Sequence, residues 1–255
     1  MRAHPALEAL RLAGRGFDVV FPPCCVLCAS TLDPGAVPVC ATCWHRLPRI
    51  LPPRCDRCGA TSLTPAESGG CAACARSALG RLRAAAAFRL EAGAARVVRE
   101  LKYRGWAALA GGMGAAMKEP ALRLMGGETF QPAPTTLVPV PVTRARLRER
   151  GFNQAQLLAE PLGATLGHPV RAVLERLPGR RPQAGLGRSA RKVNVRGRVR
   201  ASAGPEAGRP KAALLVDDVV TTGATAAACA RALTEAGWRP LGVVSFARAW
   251  RSLEP

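Results

Sequence analysis

A short apolar run, Ala212 to Val216, is followed directly by two carboxylates, Asp217 and Asp218. Small hydroxyl residues then lead into an alanine-rich helical pattern over residues 224–236. An apolar run that gives way to helical spacing predicts a buried strand, a loop and the N-terminus of a helix. The two carboxylates therefore stand where the predicted strand ends.

Similar patterns assign elements to much of the remaining chain. Apolar runs predict strands over residues 84–90, 137–142 and 241–248, and helical spacing predicts helices over 91–106, 106–118 and 153–166, the last with Asn153 as its N-cap. The prolines and glycines of residues 119–136 predict a loop. Residues 176–200 are basic and lack a hydrophobic period, which is typical of a loop that is mobile until an anion binds.

The first twenty residues show weak helical spacing. Leu7, Leu10 and Leu12 predict a short amphipathic helix within residues 1–20. Charges interrupt this segment, so it lacks the continuous apolar core of a signal peptide. Because no run of about eighteen apolar residues occurs, we expect no membrane insertion and a cytoplasmic protein.

Cysteine spacing is the second strong pattern. Eight of the ten cysteines form four Cys-x-x-Cys pairs, which are Cys25/Cys28, Cys40/Cys43, Cys55/Cys58 and Cys71/Cys74. Two such pairs supply the four thiolates of a tetrahedral zinc site, so the sequence predicts two structural Zn²⁺ ions. Iron–sulfur ligation is the remaining alternative, and a disulfide framework belongs to exported chains. The pairs can combine sequentially, which is the simpler topology, or in an interleaved order.

Segment 21–80 has few large apolar residues and much proline and glycine. It cannot build a core alone, so metal binding would supply its folding energy. Cys24 lies beside Cys25 and can take its place, whereas Cys229 is expected to be a small core residue of a helix. We expect His45 to be a surface residue, because the four pairs already complete two sites.

Composition adds a preference for anionic partners. The 255-residue chain is long enough for one ordinary domain and a smaller one, and its net charge is +20. Residues 144–200 contain fourteen basic and three acidic residues, a net charge of +11. This concentration of charge favours phosphorylated metabolites or nucleic acid as ligands.

The segment after the carboxylates has the chemistry of a phosphate site. A helix N-terminus offers unpaired N–H groups and the positive end of its dipole, so the loop can surround a phosphate with amides and hydroxyls. The residues in question are Thr221, Thr222, Gly223, Ala224 and Thr225. Asp217 and Asp218 can accept hydrogen bonds from the vicinal hydroxyls of a ribose. This stretch resembles the phosphoribosyl pyrophosphate (PRPP) motif of type I phosphoribosyltransferases.

A second anion site follows the strand of residues 137–142. The next residues, 143–150, contain four arginines and precede the helix capped by Asn153. A strand end, a run of arginines and a helix start together predict a site for pyrophosphate.

The order of these motifs resembles the ComF family. The resemblance rests on the four cysteine pairs, Leu101-Lys102-Tyr103, Val138 to Pro141, Arg150 to Ala155, Gln183 with Arg191 and Asn194, and Val216 to Thr225. It implies a double zinc ribbon over 21–80 and, over 81–255, an α/β domain of the type I phosphoribosyltransferase kind with a mainly parallel sheet and flanking helices. It also implies a role in natural competence and DNA utilisation.

The resemblance also assigns roles to individual residues. Asp217 and Asp218 would be catalytic and would hold the ribose of PRPP, while the loop residues Thr221 to Thr225 would hold its 5-phosphate. The pyrophosphate and flexible loops would include Lys102, Val142, Thr143, Arg144, Arg150, Gln183 and Arg191. Pyrophosphate loops of established enzymes usually contain glycine, whereas the stretch that begins at Val140 has no glycine before Gly151.

Two functions fit this assignment. The first is a PRPP-binding factor of DNA uptake that uses Mg²⁺ with PRPP, binds single-stranded DNA and works with a competence helicase or other uptake proteins. The second is a transferase that moves ribose 5-phosphate to an unidentified nitrogen acceptor. Stacking on DNA bases would need aromatic residues; Trp44, Trp106 and Phe152 lie near basic residues, and core packing is the favoured interpretation for each.

Overall fold

The computed structural model describes residues 23–33, 36–61, 70–103, 107–126, 135–177, 199–207 and 211–250. The helix expected within residues 1–20 lies outside these ranges. So do Trp106, Gln183 and Arg191.

A four-stranded parallel sheet forms the centre of the fold. Its strands are β1 (Ala84–Arg89), β2 (Thr135–Pro139), β5 (Ala212–Val220) and β6 (Arg239–Arg248), in the order β1-β6-β5-β2. Their nearly continuous apolar sequences are typical of parallel strands, because helices cover both faces of such a sheet. The mainly parallel α/β architecture expected from the sequence is thus confirmed.

Helices and a small hairpin surround this sheet. In chain order the helices are α1 (Ala41–His45), α2 (Ala72–Ala75), α3 (Ala92–Tyr103), α4 (Leu109–Ala116), α5 (Lys118–Met125), α6 (Arg144–Arg150), α7 (Gln154–Leu166) and α8 (Ala224–Glu235). Strands β3 (Leu174–Arg176) and β4 (Val199–Ala201) pair antiparallel at the two ends of the basic segment.

Alternate residues of the strands enter two different cores. On β5, Leu214 packs in one core with α3, α4, α5 and α7, whereas Leu215 packs in the other with α8 and the hairpin. Both leucines are fully buried. This alternation is the period of two of a strand, and it fixes which side chains of β5 face each layer.

Two sequence expectations need correction. Residues 118–125 form helix α5, although a loop was predicted there. Pro120 lies in the first turn of that helix, where a missing N–H costs nothing. The strand predicted over 137–142 is observed as β2 over Thr135–Pro139, so residues 140–142 lie beyond its end; β2 is an edge strand of the sheet, where a proline is tolerated.

The cysteine-rich region packs directly on the sheet layer. Trp44 lies edge-on to Phe88, with ring centroids 6.1 Å apart, and at the same distance from Phe246. Leu47 and Cys25 are buried in the same core. Trp44 is therefore a packing residue, as its favoured interpretation predicted, and His45 is exposed. Among the described helices, none has the length and apolar character needed to span a membrane.

Candidate functional site

The eight paired cysteines converge in two clusters. Cys25, Cys28, Cys40 and Cys43 form the first, and Cys55, Cys58, Cys71 and Cys74 form the second. Each cluster joins two consecutive Cys-x-x-Cys pairs, so the simpler sequential pairing is the one found. Cys24 and His45 belong to neither cluster, and Cys229 is buried in helix α8, as predicted.

The spacing of the sulfur atoms fits zinc. In the second cluster the Sγ atoms of Cys58 and Cys71 are 3.6 Å apart, and those of Cys55 and Cys74 are 3.7 Å apart. A Zn–S bond of about 2.3 Å in a tetrahedral site places the sulfurs about 3.8 Å apart. The same spacing, 3.8 Å, separates Cys28 from Cys40 in the first cluster. The two sites therefore fit two structural Zn²⁺ ions.

The clusters differ in exposure. All four cysteines of the second cluster are buried, whereas only Cys25 is buried in the first. In the first cluster a hydrogen bond with the Ser30 hydroxyl, 3.0 Å away, lowers the pKa of the Cys28 thiol to about 6. A thiol that ionises this readily favours metal binding, because the metal displaces the thiol proton.

Asp217 and Asp218 lie within β5, which continues for two more residues to Val220. The backbone N–H of Asp218 donates to the Asp217 carboxylate at 2.9 Å, and Asp217 is partly exposed. Burial and the neighbouring Asp218 carboxylate raise the pKa of Asp217 well above its usual range. The Asp217 carboxyl therefore keeps its proton to a higher pH than an ordinary aspartate does.

Asp218 has a different environment. It is only 3% exposed, and its carboxylate forms an ion pair with the ammonium of Lys102 at the end of α3. Its other oxygen accepts a hydrogen bond from the side-chain amide of Gln154, at 3.2 Å. The two adjacent carboxylates thus have different surroundings: Asp217 is the more exposed of the two, and Asp218 joins β5 to α3 and α7.

This network extends to the surface through arginine. Arg150 donates to the amide oxygen of Gln154 at 3.2 Å and to the Tyr103 hydroxyl at 3.3 Å. Its guanidinium also lies 4.9 Å from the centre of the Tyr103 ring. Lys102 and Arg150, which the resemblance placed in one anion site, are therefore connected through Asp218 and Gln154.

The loop after β5 leads into the N-terminus of α8. Gly223 is the N-cap residue, with φ of 79°, and provides no side-chain cap. Thr221 and Thr222 are exposed, and the Thr222 hydroxyl accepts weakly from the Ala224 N–H at 3.4 Å. The start of this helix is therefore open to an anion beside the exposed threonine hydroxyls.

Residues that follow the second cluster hold this loop in place. The backbone N–H of Ala78 and the hydroxyl of Ser77 both donate to the Thr222 carbonyl, at 2.8 and 3.2 Å. Leu79 packs so closely on Gly223 that a Cβ there would lie 2.4 Å from the leucine Cγ. Glycine is required at this position both by its positive φ and by this contact.

The second predicted anion site lies around helix α6. Thr143 caps this helix by accepting from the Arg146 N–H at 3.2 Å, and none of the helix residues is buried. A neighbouring cavity of about 560 Å³ opens between α6, α7 and the β3–β4 hairpin. Its lining includes Val142, Arg144, Phe152, Leu157, Arg176 and Arg200.

Three functional candidates were not assigned from the sequence. Gln154 is buried and bonded to Asp218, although 64 positions separate them. Leu79 packs on Gly223 in the loop after β5, and the buried Arg248 lies beside Trp250, which packs on the second cluster. Gln154 lies within the motif Arg150 to Ala155, but no spacing rule identifies Asp218 as its partner. For Leu79 and Arg248 the sequence offers no local signal.

Comparisons with known proteins agree with this description. Residues 16–76 match the double zinc ribbon domain. The chain is 31% identical over 117 residues to competence protein F of Haemophilus influenzae, covering 46% of this chain and 51% of that protein. It is 34% identical over 120 residues to competence protein ComFC of Bacillus subtilis, covering 43% and 42%. These matches thus span about half the length of either competence protein, or less.

A longer match covers most of both chains. DNA utilization protein YhgH of Salmonella typhi is 29% identical over 217 residues, which is 85% of this chain and 92% of that protein. The ribbon match, the two four-cysteine sites and the parallel sheet define a protein in which a double zinc ribbon precedes an α/β domain. The ribbon match, the two four-cysteine sites and the three relatives together support the ComF family for this chain.

Proposed function

We propose that this protein binds PRPP with Mg²⁺ and acts in the uptake or utilisation of DNA, with single-stranded DNA as a further ligand. The observation that carries the proposal is the open N-terminus of α8, which lies directly after exposed threonines and the partly exposed Asp217. A ligand that carries both a phosphate and a diol suits this arrangement, because the residues that would bind the two groups lie about five positions apart along the chain.

Each part of PRPP has matching groups among the described residues. The 5-phosphate would accept from the amides and hydroxyls of Thr221 to Thr225, and Asp217 would accept from the ribose hydroxyls. Lys102 and Arg150 lie on the Asp218 network and would face the pyrophosphate. Mg²⁺ would neutralise part of the pyrophosphate charge.

The DNA role is supported by the names of the relatives and by the surface near α6. The matched proteins are called competence proteins and a DNA utilization protein. Helix α6 presents four arginines, none of them buried. Beside it, Tyr103 is 64% exposed and lies under the Arg150 guanidinium. Arginines bind phosphates, and an exposed aromatic ring can stack on a base.

A second candidate function is phosphoribosyl transfer without a DNA role. The supporting observation is the cavity beside α6, whose lining combines three arginines with Phe152 and Leu157. Such a cavity suits a flat, partly apolar nitrogen compound. In the reaction the bond from ribose C1 to pyrophosphate breaks and a bond from C1 to the acceptor nitrogen forms. Positioning and charge stabilisation would be the contribution of the protein.

One pair of measurements tests and separates these functions. Zinc-loaded protein is titrated calorimetrically with Mg-PRPP, and pyrophosphate release is then measured with and without nucleobases and single-stranded DNA. Binding without release in any mixture favours the DNA-handling factor, whereas release that depends on an acceptor establishes the transferase. Absence of PRPP binding would contradict both.

A further inference from the structure

Arg248 is a charged residue in an unusual place. It is the last residue of β6, is only 2% exposed, and is among the largest fully buried side chains of the described chain. Within the described residues, its Nε and Nη1 atoms have no hydrogen-bond partner. A buried guanidinium with two unpaired nitrogen atoms is costly, so a compensating negative group is expected close to it.

The second cysteine cluster supplies that group. All four cysteines of this cluster are within electrostatic range of the Arg248 guanidinium, and Cys58 acts on it most strongly. Its guanidinium lies 5.6 Å from the ring centre of Trp250, which packs against the same cluster. Four thiolates around one Zn²⁺ retain net negative charge, and in this buried cluster water cannot balance it. The first cluster is partly exposed, so water can reach it.

Two segments connect the second cluster to the loop of residues 221–223, which follows β5. On one side, Ser77 donates to the carbonyl of the ligand Cys74 at 3.1 Å and also reaches the Thr222 carbonyl. On the other side, Arg248 lies opposite Val220 in the sheet, and the next residue, Ala249, donates to the Val220 carbonyl at 3.0 Å. The loop of residues 221–223 is therefore flanked by two segments that both end at the second cluster.

We infer that the second zinc site is a structural part of the Thr221–Gly223 loop, and that Arg248 is the positioning residue that balances its thiolates and joins it to that loop. The first zinc site has no such role. Loss of zinc from the second site therefore loosens the loop, while loss from the first leaves it ordered.

The charge of Arg248 is tested by zinc retention. In Arg248→Met the second cluster is expected to lose zinc to a chelator at about tenfold lower chelator concentration, the effect typical of groups that support metal ligands. Arg248→Lys, which keeps the charge, should retain most of the affinity. Arg239→Met, at the exposed start of the same strand, is the matched control. Equal zinc retention in Arg248→Met and Arg239→Met would overturn the assignment.

The coupling to the loop is tested on the unmodified protein, so it does not depend on a variant that folds. Zinc is withdrawn stepwise, pulsed alkylation identifies which cysteines have been released, and amide hydrogen exchange is followed for residues 219–225. Exchange there should rise at least tenfold in step with alkylation of Cys55 to Cys74, and not with alkylation of Cys25 to Cys43. Exchange that stays constant, or that follows the first cluster, would overturn the coupling.

A third measurement rests on the proposed function. Mg-PRPP affinity should fall when the second cluster loses zinc and should be unchanged when only the first does. If the zinc-loaded protein binds no PRPP at all, the proposed function fails, whereas the exchange measurement still decides the coupling.

Discussion

The side-chain amide of Gln154 lies 3.2 Å from a carboxylate oxygen of Asp218, and both residues are buried. Replacement of Gln154 with Leu leaves that oxygen without its amide donor. Since a hydrogen bond to a charged group contributes about 1.5–3 kcal/mol, the free energy of unfolding should fall by a similar amount. Denaturant unfolding measures this loss.

Gln156→Leu is the matched control for that experiment. Gln156 lies on the same helix, and its exposed amide bonds to Glu160 at 3.1 Å. This change should alter stability by less than about 0.5 kcal/mol. Equal losses in the two variants would show that the contact with Asp218 contributes nothing particular.

Replacement of both Asp217 and Asp218 with Ala should abolish Mg-PRPP binding, because the acceptors for the ribose hydroxyls are then missing. The zinc content should be unchanged, since neither residue belongs to a cysteine cluster. Calorimetry and metal analysis give the two results. Glu235→Ala, at the exposed end of α8, should keep its PRPP affinity. Retained affinity in the double variant would contradict the assignment of this site.

Asp217→Asn should stabilise the protein at neutral pH. Because the folded state raises the pKa of Asp217, its ionisation weakens the fold as pH rises from the unfolded value of about 3.9 through the folded one. The amide avoids that cost. At pH 8 the Tm of Asp217→Asn should exceed that of the unmodified protein by roughly 2–4 °C for each kcal/mol of ionisation cost that the amide removes. The difference in Tm should vanish near pH 4. A gain that is the same at both pH values would contradict this explanation.

The four strands of the parallel sheet could be predicted from the sequence because each contains a mostly apolar run, whereas the short hairpin strands β3 and β4 have no such run and were not predicted. Strand β5, for example, was predicted over Ala212 to Val216 and is observed over Ala212–Val220, so Asp217 and Asp218 lie within the strand and not after it. Helix α6 was not predicted as a helix, since none of its residues is buried and it therefore has no hydrophobic period. The partners of Asp218 come from α3 and α7, so they depend on the sheet order β1-β6-β5-β2, which no local pattern determines.

The cysteine clusters illustrate the same limit. Spacing predicted the eight ligands, because two thiolates three positions apart can bind one metal. The combination of pairs depends on the path of residues 44–54, which connect the second Cys-x-x-Cys pair to the third. Leu47 and Ile50 of this connection are buried. The sequential pairing is therefore a property of the folded core rather than of the motif.

Zinc analysis should give two ions per chain, and alkylation should distinguish three kinds of cysteine. In the zinc-loaded protein the exposed Cys24 should react first, and chelation should add the eight clustered thiols. Cys229 should react only after unfolding, since burial raises the pKa of its thiol to about 12. Mass spectrometry of the labelled peptides measures all three stages. An absence of zinc would contradict the ribbon assignment.

Tyr103→Ala should weaken binding of single-stranded DNA. If a base stacks on this exposed ring, its loss should cost about 1–3 kcal/mol, or roughly a 5- to 150-fold rise in Kd. Leu51→Ala is the matched control, because Leu51 is equally exposed, at 62% against 64%, and is not aromatic. Fluorescence anisotropy with a labelled oligonucleotide measures both. Equal affinities would exclude Tyr103 from the DNA site.

The arginines of α6 should govern the salt dependence of that binding. Each phosphate contact on a single strand contributes about 0.7 to the slope of log K against log salt concentration. The double variant Arg146→Gln/Arg148→Gln should therefore make this slope less steep by up to about 1.4. It should weaken binding similarly for all base sequences, because phosphates carry no sequence information. Arg231→Gln/Arg239→Gln removes the same charge from two other exposed positions and should leave the slope nearly unchanged. If both double variants lower the slope equally, the attraction is a property of the net charge of +20 and not of helix α6.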